Sequence, residues 1–435
     1  MSDSSLIANI HALSHEGRGI ATVNGKTVFI EGALPTETVG FQYLRHRNRF
    51  AEGKITDILT PAASRVVPRC RHFTECGGCS LQHLGSLAQV QFKEQVVLEQ
   101  LQHFGRVEPR VILPPLMGPT YGYRRKARLR VKYMPKKGKL IMGFHEKDPR
   151  AIADCLGCET LHPLIAKRWR EIYQLIAGLE ANRNIPQIEV AVGDAMAALV
   201  FRHLVPLSER DQRTLVEFGQ FHQMAIYLQP NGLDSIQKLW PTERDHYLSY
   251  HLPDYHLEIQ FLPTDFIQVN SEMNHHLIAR VIELLALETS DKMLDLFCGL
   301  GNFTLPLARL GASVVGVEGS RAAVTRAKIN AEHNGLGSVE FFASDLQKPD
   351  EDSSWIKRSY DKVVLDPPRA GAPEIIPFLA RSTVNRVVYV SCQPATLARD
   401  IGEWVNRYGF RLESIGVLDM FPQTTHIESI ALLTR

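Results

Sequence analysis

The sequence predicts an α/β fold: a doubly wound sheet with an antiparallel edge hairpin, preceded by an N-terminal β-barrel and an α+β central domain. Short apolar strands alternate with helical stretches after about residue 290, and turns containing Gly or Pro separate short strands over residues 6–60. With 435 residues, 44% of them hydrophobic and 22% charged, the chain is long enough for three ordered domains. We expect these domains to span residues 1–66, 67–265 and 266–435.

The net charge of +2 conceals an asymmetry along the chain. Residues 1–150 contain 23 Lys and Arg against 12 Asp and Glu, whereas the remaining residues contain 26 against 35. A basic first third indicates contact with a polyanion. No segment approaches the ~20 apolar residues of a membrane span and the N-terminus lacks a signal-peptide pattern, so we expect a cytoplasmic protein without membrane contact. Its seven cysteines should then be reduced thiols, available as metal ligands or catalytic groups.

The N-terminal region has the pattern of a small antiparallel barrel. Its strand-like runs are IANIHAL, GIATVNGKTVFI, TVGFQYLRHR and FAEGKITDIL, and Gly or Pro residues mark the turns between them. The basic run RHRNRF at residues 45–50 falls on one hairpin, where it could follow a phosphate backbone.

Two segments stand out in the central region. The apolar pattern predicts an amphipathic helix over about residues 86–103. Residues 121–133 resemble a strand, and five of the seven residues 124–130 are Arg or Lys. Basic residues interleaved with aromatic and apolar ones favour a nucleic-acid-binding face over a simple solvated strand.

The last third alternates strands and helices. The predicted strands span residues 293–297, 313–317, 339–342, 362–365 and 386–391, with helices that include 321–334 and 394–408. Only a turn separates the last two predicted strands, near 411–418 and 428–433, so these two should pair antiparallel at one edge of the sheet.

A glycine-containing loop, Asp295-Leu-Phe-Cys-Gly-Leu-Gly-Asn302, follows the first of these strands. Glycines let the backbone turn tightly beside a ligand at the carboxyl edge of a sheet. Glu318 ends the next strand, 23 residues after Asp295, where a carboxylate can bind both hydroxyls of a ribose. Thr304 stands in the place of the third glycine of a dinucleotide-binding motif, so the loop favours S-adenosylmethionine over NAD.

Two further strand ends carry aspartates. Asp345 follows the strand at 339–342, where it could meet an adenine amino group, and Asp366 begins the run DPPRAG after the strand at 362–365. Each aspartate alone is as well explained as a turn former. Together with Asp295 and Glu318 they would converge on one edge of one sheet, which predicts a ligand site there.

Cys392 and Glu428 are the predicted reactive groups. Cys392 precedes a helix that starts at Pro394, so the positive end of the helix dipole should favour its thiolate. A thiolate that adds to C6 of uracil makes C5 nucleophilic enough to accept a methyl group. A base must then remove the C5 proton, and we expect this base to be Glu428 rather than His426.

Four motifs, DLFCGLGNFT, LDPPRAG, SCQPATLARD and MFPQTTHIE, resemble those of the uracil-5 RNA methyltransferases. The resemblance covers nearly the whole chain and implies a Rossmann-like class I S-adenosylmethionine-dependent methyltransferase domain, preceded by an OB-like TRAM domain and an iron–sulfur domain. It implies Cys392 as the nucleophile and Glu428 as the proton acceptor. The residues that it implies for cofactor or target-base contact are Gln268, Phe297, Asn302, Glu318, Asp345 and Asp366. Gln393 departs from the family pattern, which often has Asn beside the nucleophile.

Five cysteines compete for four ligand places: Cys70, Cys76, Cys79, Cys155 and Cys158. Two C-x-x-C pairs would suit zinc, but 75 residues separate the pairs and Cys70 would have no role. Three clustered cysteines with one distant cysteine also suit a [4Fe–4S] cluster, and the spacing alone does not choose between Cys155 and Cys158. The resemblance implies a [4Fe–4S] cluster on Cys70, Cys76, Cys79 and Cys158.

The combination of TRAM domain and cluster resembles the branch of the family that modifies large-subunit ribosomal RNA, so we expect a monomeric enzyme that binds this RNA. A transfer RNA substrate is less favoured, because the tRNA branch usually lacks both modules. An amino methyltransferase would have Tyr at Arg369 and no use for Cys392. A non-catalytic iron–sulfur RNA-binding or assembly factor would be expected to have lost Cys392 or Glu428, and both are present.

Overall fold

The computed structural model describes residues 6–242 and 247–435, so residues 1–5 of the predicted barrel domain and 243–246 of the central domain lie outside the described residues. The described strands form two six-stranded sheets, a two-stranded hairpin and an eight-stranded sheet. Within these ranges, none of the helices has the length and apolar character that crossing a membrane requires.

The N-terminal sheet closes into a barrel. Its strands are β1 (Leu6–Asn9), β2 (Ala12–Leu13), β3 (Gly19–Val23), β4 (Lys26–Glu31), β5 (Thr38–His46) and β6 (Phe50–Thr60). The order is β1-β5-β6-β4-β3-β2, and only two residues separate β1 from β2, so one continuous segment joins the two ends of the sheet. Apolar side chains such as Val28, Ile30 and Phe41 fill the interior. The expectation of purely antiparallel pairing is wrong at one place, where β4 and β6 pair parallel because β5, which joins them in the chain, lies on the far side of β6.

The central region is α+β. Its elements are α1 (Ser86–Gln100), a π-helical turn (Leu101–Gly105), β7 (Val111–Ile112), β8 (Lys126–Met134), β9 (Lys139–Gly143), α2 (Pro163–Ala166), α3 (Trp169–Gly178), β10 (Gln187–Val192), β11 (Ala197–Arg202), α4 (Glu209–His222), β12 (Met224–Gln229), β13 (Gln237–Trp240), β14 (Leu248–Leu252) and β15 (Leu257–Phe261). The sheet has the order β13-β12-β11-β10-β8-β9, and β14 pairs with β15 separately. The apolar faces of α3 and α4 pack on this sheet through side chains such as Ile172 and Leu215.

The C-terminal sheet is doubly wound with a reversed edge, as predicted. Its elements are α5 (Ser271–Leu285), β16 (Lys292–Leu296), α6 (Thr304–Arg309), β17 (Ser313–Glu318), α7 (Arg321–His333), β18 (Glu340–Ala343), β19 (Lys362–Leu365), α8 (Ile376–Arg381), β20 (Arg386–Ser391), α9 (Pro394–Tyr408), β21 (Arg411–Leu418) and β22 (Glu428–Thr434). The order is β18-β17-β16-β19-β20-β22-β21-β7, with β22 antiparallel to both of its neighbours. All predicted strands of this sheet are observed within one residue of their predicted bounds.

Two elements from the central region belong to the C-terminal layer. β7 pairs with β21 and thereby extends the C-terminal sheet at its edge. α1 starts at the predicted residue, and its apolar side chains Phe92, Val96 and Val97 pack in the same core as Trp404 of α9. The sequence places these elements more than 150 residues before the sheet that they complete.

Candidate active site

One edge of the C-terminal sheet collects the ends of five parallel strands. The residues that directly follow β16 to β20 lie at this edge, because these strands all run in one direction. β22 runs antiparallel to β20, so its first residue, Glu428, lies at the same edge. The pairing of Ser391 with Ser429 brings Glu428 beside Cys392 on the neighbouring strand. The structure therefore brings the two predicted reactive residues together.

The loop after β16 has the tight backbone that its glycines predict. Phe297, Gly299 and Gly301 have φ values of +64°, +55° and +93°. Space beyond the Gly299 backbone is open, so this side of the loop can accept a ligand. The carboxylate of Glu318 accepts hydrogen bonds from the Gly299 N–H at 3.3 Å and the Ser320 N–H at 2.8 Å, which fixes its position beside the loop.

Asn302 is held by two residues that the sequence did not reveal. Asn302 and Asn274 of α5 exchange two amide hydrogen bonds of 2.9 Å each. The hydroxyl of Tyr250 on β14 donates a third hydrogen bond, also 2.9 Å long, to the side-chain Oδ1 of Asn302. Asn274 and Tyr250 lie 28 and 52 residues away in sequence and carry no motif, so a single sequence offers no signal for them.

Gln268 and Asp345 lie at the margins of this site. Gln268 is half-buried in the loop between β15 and α5, outside the strand ends. Asp345 is exposed, and its carboxylate accepts the Gln347 N–H at 2.9 Å. This hydrogen bond stabilises a turn, which is the alternative role that the sequence allows for a single aspartate.

Burial raises the pKa of three carboxyl groups at the edge. Desolvation raises the pKa of Asp295 to about 7 and that of Asp366, which keeps some solvent exposure, also to about 7. Desolvation and the charge of Asp366 together raise the pKa of Glu428 well above its usual range. Carboxyl groups that repel one another in a poorly solvated site retain protons that isolated acids would lose.

The expected thiolate of Cys392 is wrong for this state of the protein. Burial, with smaller contributions from the charges of Glu428 and Asp366, raises the pKa of Cys392 to about 11, and the opposing effect of the Arg369 guanidinium is too small to cancel them. The start of α9 does follow Cys392 directly, as predicted. Desolvation and two neighbouring carboxylates outweigh the helix dipole, which contributes only ~0.3–1 kcal/mol at most sites.

The first turns of α9 hold the DPPRAG loop. The buried carboxylate of Asp400 accepts the Tyr389 hydroxyl at 2.6 Å and the Ala372 N–H at 2.8 Å. Gly371 has a φ of +81°, and a Cβ at this position would collide with the Asp400 carboxylate. Thr396 donates to the Arg369 carbonyl at 3.0 Å. These contacts fix the loop that joins Asp366 to the start of α9.

His426 has a different environment from that of a general base. Its Nδ1 lies 3.4 Å from Nη2 of Arg369. Burial, with the charge of Arg369, lowers the pKa of His426, so the ring is neutral and can accept from the guanidinium. The ring also lines the cavity that contains the five cysteines.

All five cysteines of the predicted metal site line one cavity of about 280 Å³. The Cys158 sulfur lies 3.3 Å from the Thr160 hydroxyl, and Cys76 and Cys155 hydrogen-bond through their sulfurs. Burial raises the pKa of both Cys70 and Cys79, and electrostatic repulsion from Cys158 adds to both shifts. Across the described residues, no three His, Cys, Asp or Glu side chains have the geometry of a metal site.

The two basic segments differ in whether their cations have protein partners or face solvent. On β8, Arg128 pairs with Glu189 at 2.6 Å and Arg130 with Gln187 at 2.8 Å, both across the strand pair with β10. Arg125 pairs with Asp194 at 2.5 Å. The basic run 45–50 on the barrel is largely exposed to solvent.

Comparisons with known proteins match this architecture. Residues 244–435 match the family model for tRNA (Uracil-5-)-methyltransferase. A 23S rRNA (uracil(1939)-C(5))-methyltransferase RlmD from Nitrosococcus oceani is 53% identical over 431 residues, 98% of this chain and 96% of the relative. The protein of the same name from Methylococcus capsulatus is 46% identical over 430 residues, 99% of this chain and 97% of the relative.

A solved structure matches over the same extent. The Pyrococcus abyssi tRNA (uracil-54, C5)-methyltransferase, solved with S-adenosyl-L-homocysteine, is 24% identical with a TM-score of 0.75, covering 99% of this chain and 100% of the other. This likeness shows that the fold is that of a class I S-adenosylmethionine-dependent methyltransferase. Because the identity to the curated relatives extends over nearly the full length, the chain belongs to the RlmD family of 23S rRNA (uracil-C5)-methyltransferases.

Proposed function

We propose that this chain methylates carbon 5 of a uridine in 23S ribosomal RNA, with S-adenosylmethionine as the methyl donor. The relatives are named for position 1939 of that RNA, which is the uridine we assign as the target. The observation that carries the proposal is the antiparallel pairing of β20 with β22, which brings a cysteine and a buried carboxyl group together beside the cofactor loop. That pair is what C5 methylation of uracil requires.

The residues of the cofactor loop suit S-adenosylmethionine. The ribose hydroxyls of S-adenosylmethionine can donate to the Glu318 carboxylate, which two backbone N–H groups already hold in position. We assign contacts with the cofactor or the target base to Gln268, Phe297, Asn302, Glu318, Asp345 and Asp366. When bound, S-adenosylmethionine supplies the methyl group and a positively charged sulfonium.

Cys392 is the proposed nucleophile and Glu428 the proposed proton acceptor. The thiol first loses its proton to solvent or to the adjacent Asp366 carboxylate, and its sulfur then bonds to C6 of the uracil. The electron pair displaced to C5 would form the new bond to the methyl carbon, while the bond from that carbon to the sulfonium sulfur would break and leave its electron pair on the sulfur. Glu428, whose raised pKa makes its ionised form a strong base, then accepts the C5 proton. The C5–H electron pair restores the C5–C6 double bond, and the C6–S electron pair returns to the Cys392 sulfur.

We assign RNA binding mainly to the barrel. Residues 1–66 would form a TRAM domain whose exposed basic run 45–50 follows the RNA backbone, ahead of a central domain over 67–265 and the catalytic domain over 266–435. Lys126, Arg128 and Arg130 of β8 already have protein partners, so these cations are less available to bind RNA phosphates. A target uridine must leave its stack to reach Cys392, so the RNA site should present it single-stranded or flipped out.

We further propose a [4Fe–4S] cluster on Cys70, Cys76, Cys79 and Cys158. The cavity of about 280 Å³ has far more room than the ~10–15 Å³ that one water requires, which favours a polynuclear group over a single ion. The mutual repulsion of these thiolates would be relieved by a cationic cluster. When bound, the cluster supplies metal–thiolate bonds that link the loop at 70–79 to the loop at 155–158.

The cluster assignment is tested by the visible spectrum and metal content of anaerobically purified protein. We expect a brown protein with about four irons per chain in the wild type and in Cys155→Ala, and loss of iron in Cys158→Ala. A colourless protein with stoichiometric zinc would refute the cluster. Iron loss in Cys155→Ala with iron retained in Cys158→Ala would show that Cys155, and not Cys158, is the fourth ligand.

The methylation itself is tested by mapping 5-methyluridine in ribosomal and transfer RNA from cells that lack this protein. We expect one 23S position to lose its methyl group, and to regain it with wild type but not with Cys392→Ala. Loss of a methyl group from transfer RNA alone would support the tRNA substrate. No change at any uridine would contradict the proposed enzyme.

A further inference from the structure

The segment that leads into Glu428, residues 419–427 (the catalytic loop), is held by helix α1 from the other end of the chain. Gln423 at its centre has a φ of +70°, which a residue with a side chain rarely adopts, and is 2% exposed. A buried backbone in this conformation persists only where its surroundings fix it. The contacts that fix it come from residues 80–93 and Tyr123.

Gln89 is the first of these contacts. Its side-chain carbonyl oxygen accepts the Gln423 N–H at 2.9 Å, and its amide nitrogen donates to the Gln423 side-chain oxygen at 3.1 Å. The same amide donates to the Leu84 carbonyl at 2.7 Å. Gln89 is 1% exposed, so none of these bonds competes with water.

The second contact comes from Lys93, one helical turn further along α1. Its Nζ donates to Asp419 Oδ1 at 2.7 Å and to the Phe421 carbonyl at 3.0 Å. Lys93 and Asp419 are 0% and 1% exposed. The ammonium thus spans the first three residues of the catalytic loop in a site closed to solvent.

The remaining contacts with the catalytic loop come from the two residues that follow Cys79 and from Tyr123. The Ser80 and Leu81 N–H groups both donate to the Gln423 carbonyl, at 2.9 and 3.0 Å. The Ser80 hydroxyl accepts the Thr425 N–H at 3.0 Å. The Tyr123 hydroxyl donates to the Pro422 carbonyl at 2.9 Å.

We propose that Gln89 and Lys93 are positioning residues for Glu428, holding the catalytic loop so that its carboxylate reaches the C5 proton of the methylated uracil. The proposal rests on the proposed function. Neither residue lies among the strand-end groups, and both act through the backbone of the catalytic loop. Ser80 also binds the catalytic loop, so the segment that follows Cys79 helps to hold it.

A shift of Glu428 should slow the last chemical step most. Addition of Cys392 to C6 and transfer of the methyl group to C5 need the strand-end residues alone. Breaking the C5–H bond, with the proton passing to Glu428 and the C6–S electron pair returning to Cys392, needs the carboxylate in place. A displacement of about 1 Å can slow such a step about 100-fold. Variants of the attachment should therefore accumulate a covalent adduct that already carries the methyl group.

The experiment is a single-turnover reaction with radiolabelled methyl donor and an RNA fragment containing the target uridine, using full-length protein. Label in denaturation-resistant protein–RNA adduct and label in free RNA are followed separately over time. The variants are Gln89→Leu, the milder Ser80→Ala, and Lys93→Met combined with Asp419→Asn, which leaves no buried charge unpaired. Gln95→Leu is the matched control, since Gln95 is exposed on the same helix.

We expect methyl transfer within about threefold of wild type in all variants, and adduct resolution slowed at least tenfold in Gln89→Leu and in the double variant. The control should resolve its adduct like wild type. Resolution at the wild-type rate in the folded variants, or equal slowing of both steps with a lowered melting temperature, would overturn the positioning role while leaving the function intact. Absence of methylation and adduct in wild type would instead refute the proposed function.

Discussion

Cys392 in the cofactor-free protein should react slowly with a thiol-alkylating reagent. At pH 8, a thiol with a pKa of about 11 is about one-thousandth ionised, against about one-quarter for an ordinary cysteine with a pKa of ~8.5. The thiolate of higher pKa is intrinsically more nucleophilic, by about tenfold for this difference with a Brønsted coefficient of ~0.45. The two effects together predict alkylation about 20-fold slower than that of a free peptide covering residues 388–396.

The assay measures iodoacetamide labelling of the Cys392 peptide by mass spectrometry between pH 6.5 and 10, with the free peptide as the reference. The logarithm of the rate should rise by about one for each pH unit without levelling off below pH 10. Asp366→Asn should increase the rate severalfold at pH 8, because Asp366, with a pKa of about 7, is mostly ionised at that pH and its charge is one of the causes that raise the pKa of Cys392. A plateau below pH 9 would show that the helix start does stabilise the thiolate, and would refute the burial argument.

Three further outcomes follow from the packing of the site. The pKa of Glu428 is raised above the value of 4.5 that it would have in the unfolded chain, so unfolding releases its proton at neutral pH and the free energy of unfolding falls as pH rises above 4.5. Glu428→Gln removes this loss and should raise the melting temperature more at pH 8 than at pH 5, whereas equal shifts would contradict the argument. Lys93→Met alone leaves Asp419 buried without its partner and should cost about 3–5 kcal/mol in urea unfolding, of which added Asp419→Asn should recover at least half. Gly371→Ala should lower methylation at least tenfold, whereas Gly138→Ala, whose Cβ would meet open space at a φ of +60°, should lose only about 1–2 kcal/mol of stability and no activity.

The C-terminal sheet was predictable because its sequence signals are local. Each buried parallel strand is a short apolar run that a helix follows, so its bounds can be read from composition and period. The positions of Glu318, Asp366, Cys392 and Glu428 at one edge then follow from strand direction alone. Once the doubly wound order is assumed, the convergence of these residues needs no further information.

The parts that could not be predicted depend on contacts between distant segments. Gln89 and Gln423 are 334 residues apart, and neither lies in a motif that would pair them. The pKa of Cys392 depends on how much the folded chain buries it, whereas the sequence shows only that a helix follows. The cations of β8 have partners because β10 presents Glu189 and Gln187 opposite them, and strand register is not visible before the sheet is known.

The reversed edge of the sheet explains why the proton acceptor depends on a distant helix. In an all-parallel sheet, every residue at the carboxyl edge follows a strand, and the hydrogen-bonded strand behind it fixes its position. Glu428 instead begins a strand, so only one side of it is fixed by the sheet, where it pairs with Leu418 of β21, and the other side joins the catalytic loop. That loop pairs with another strand-like segment only at its first residue, where the Asp419 N–H donates to the Leu116 carbonyl, and beyond it Gln89, Lys93 and Ser80 hold the loop. Nucleophile and base therefore differ in what holds them, and substitutions in α1 should affect the base while the nucleophile keeps its place on β20.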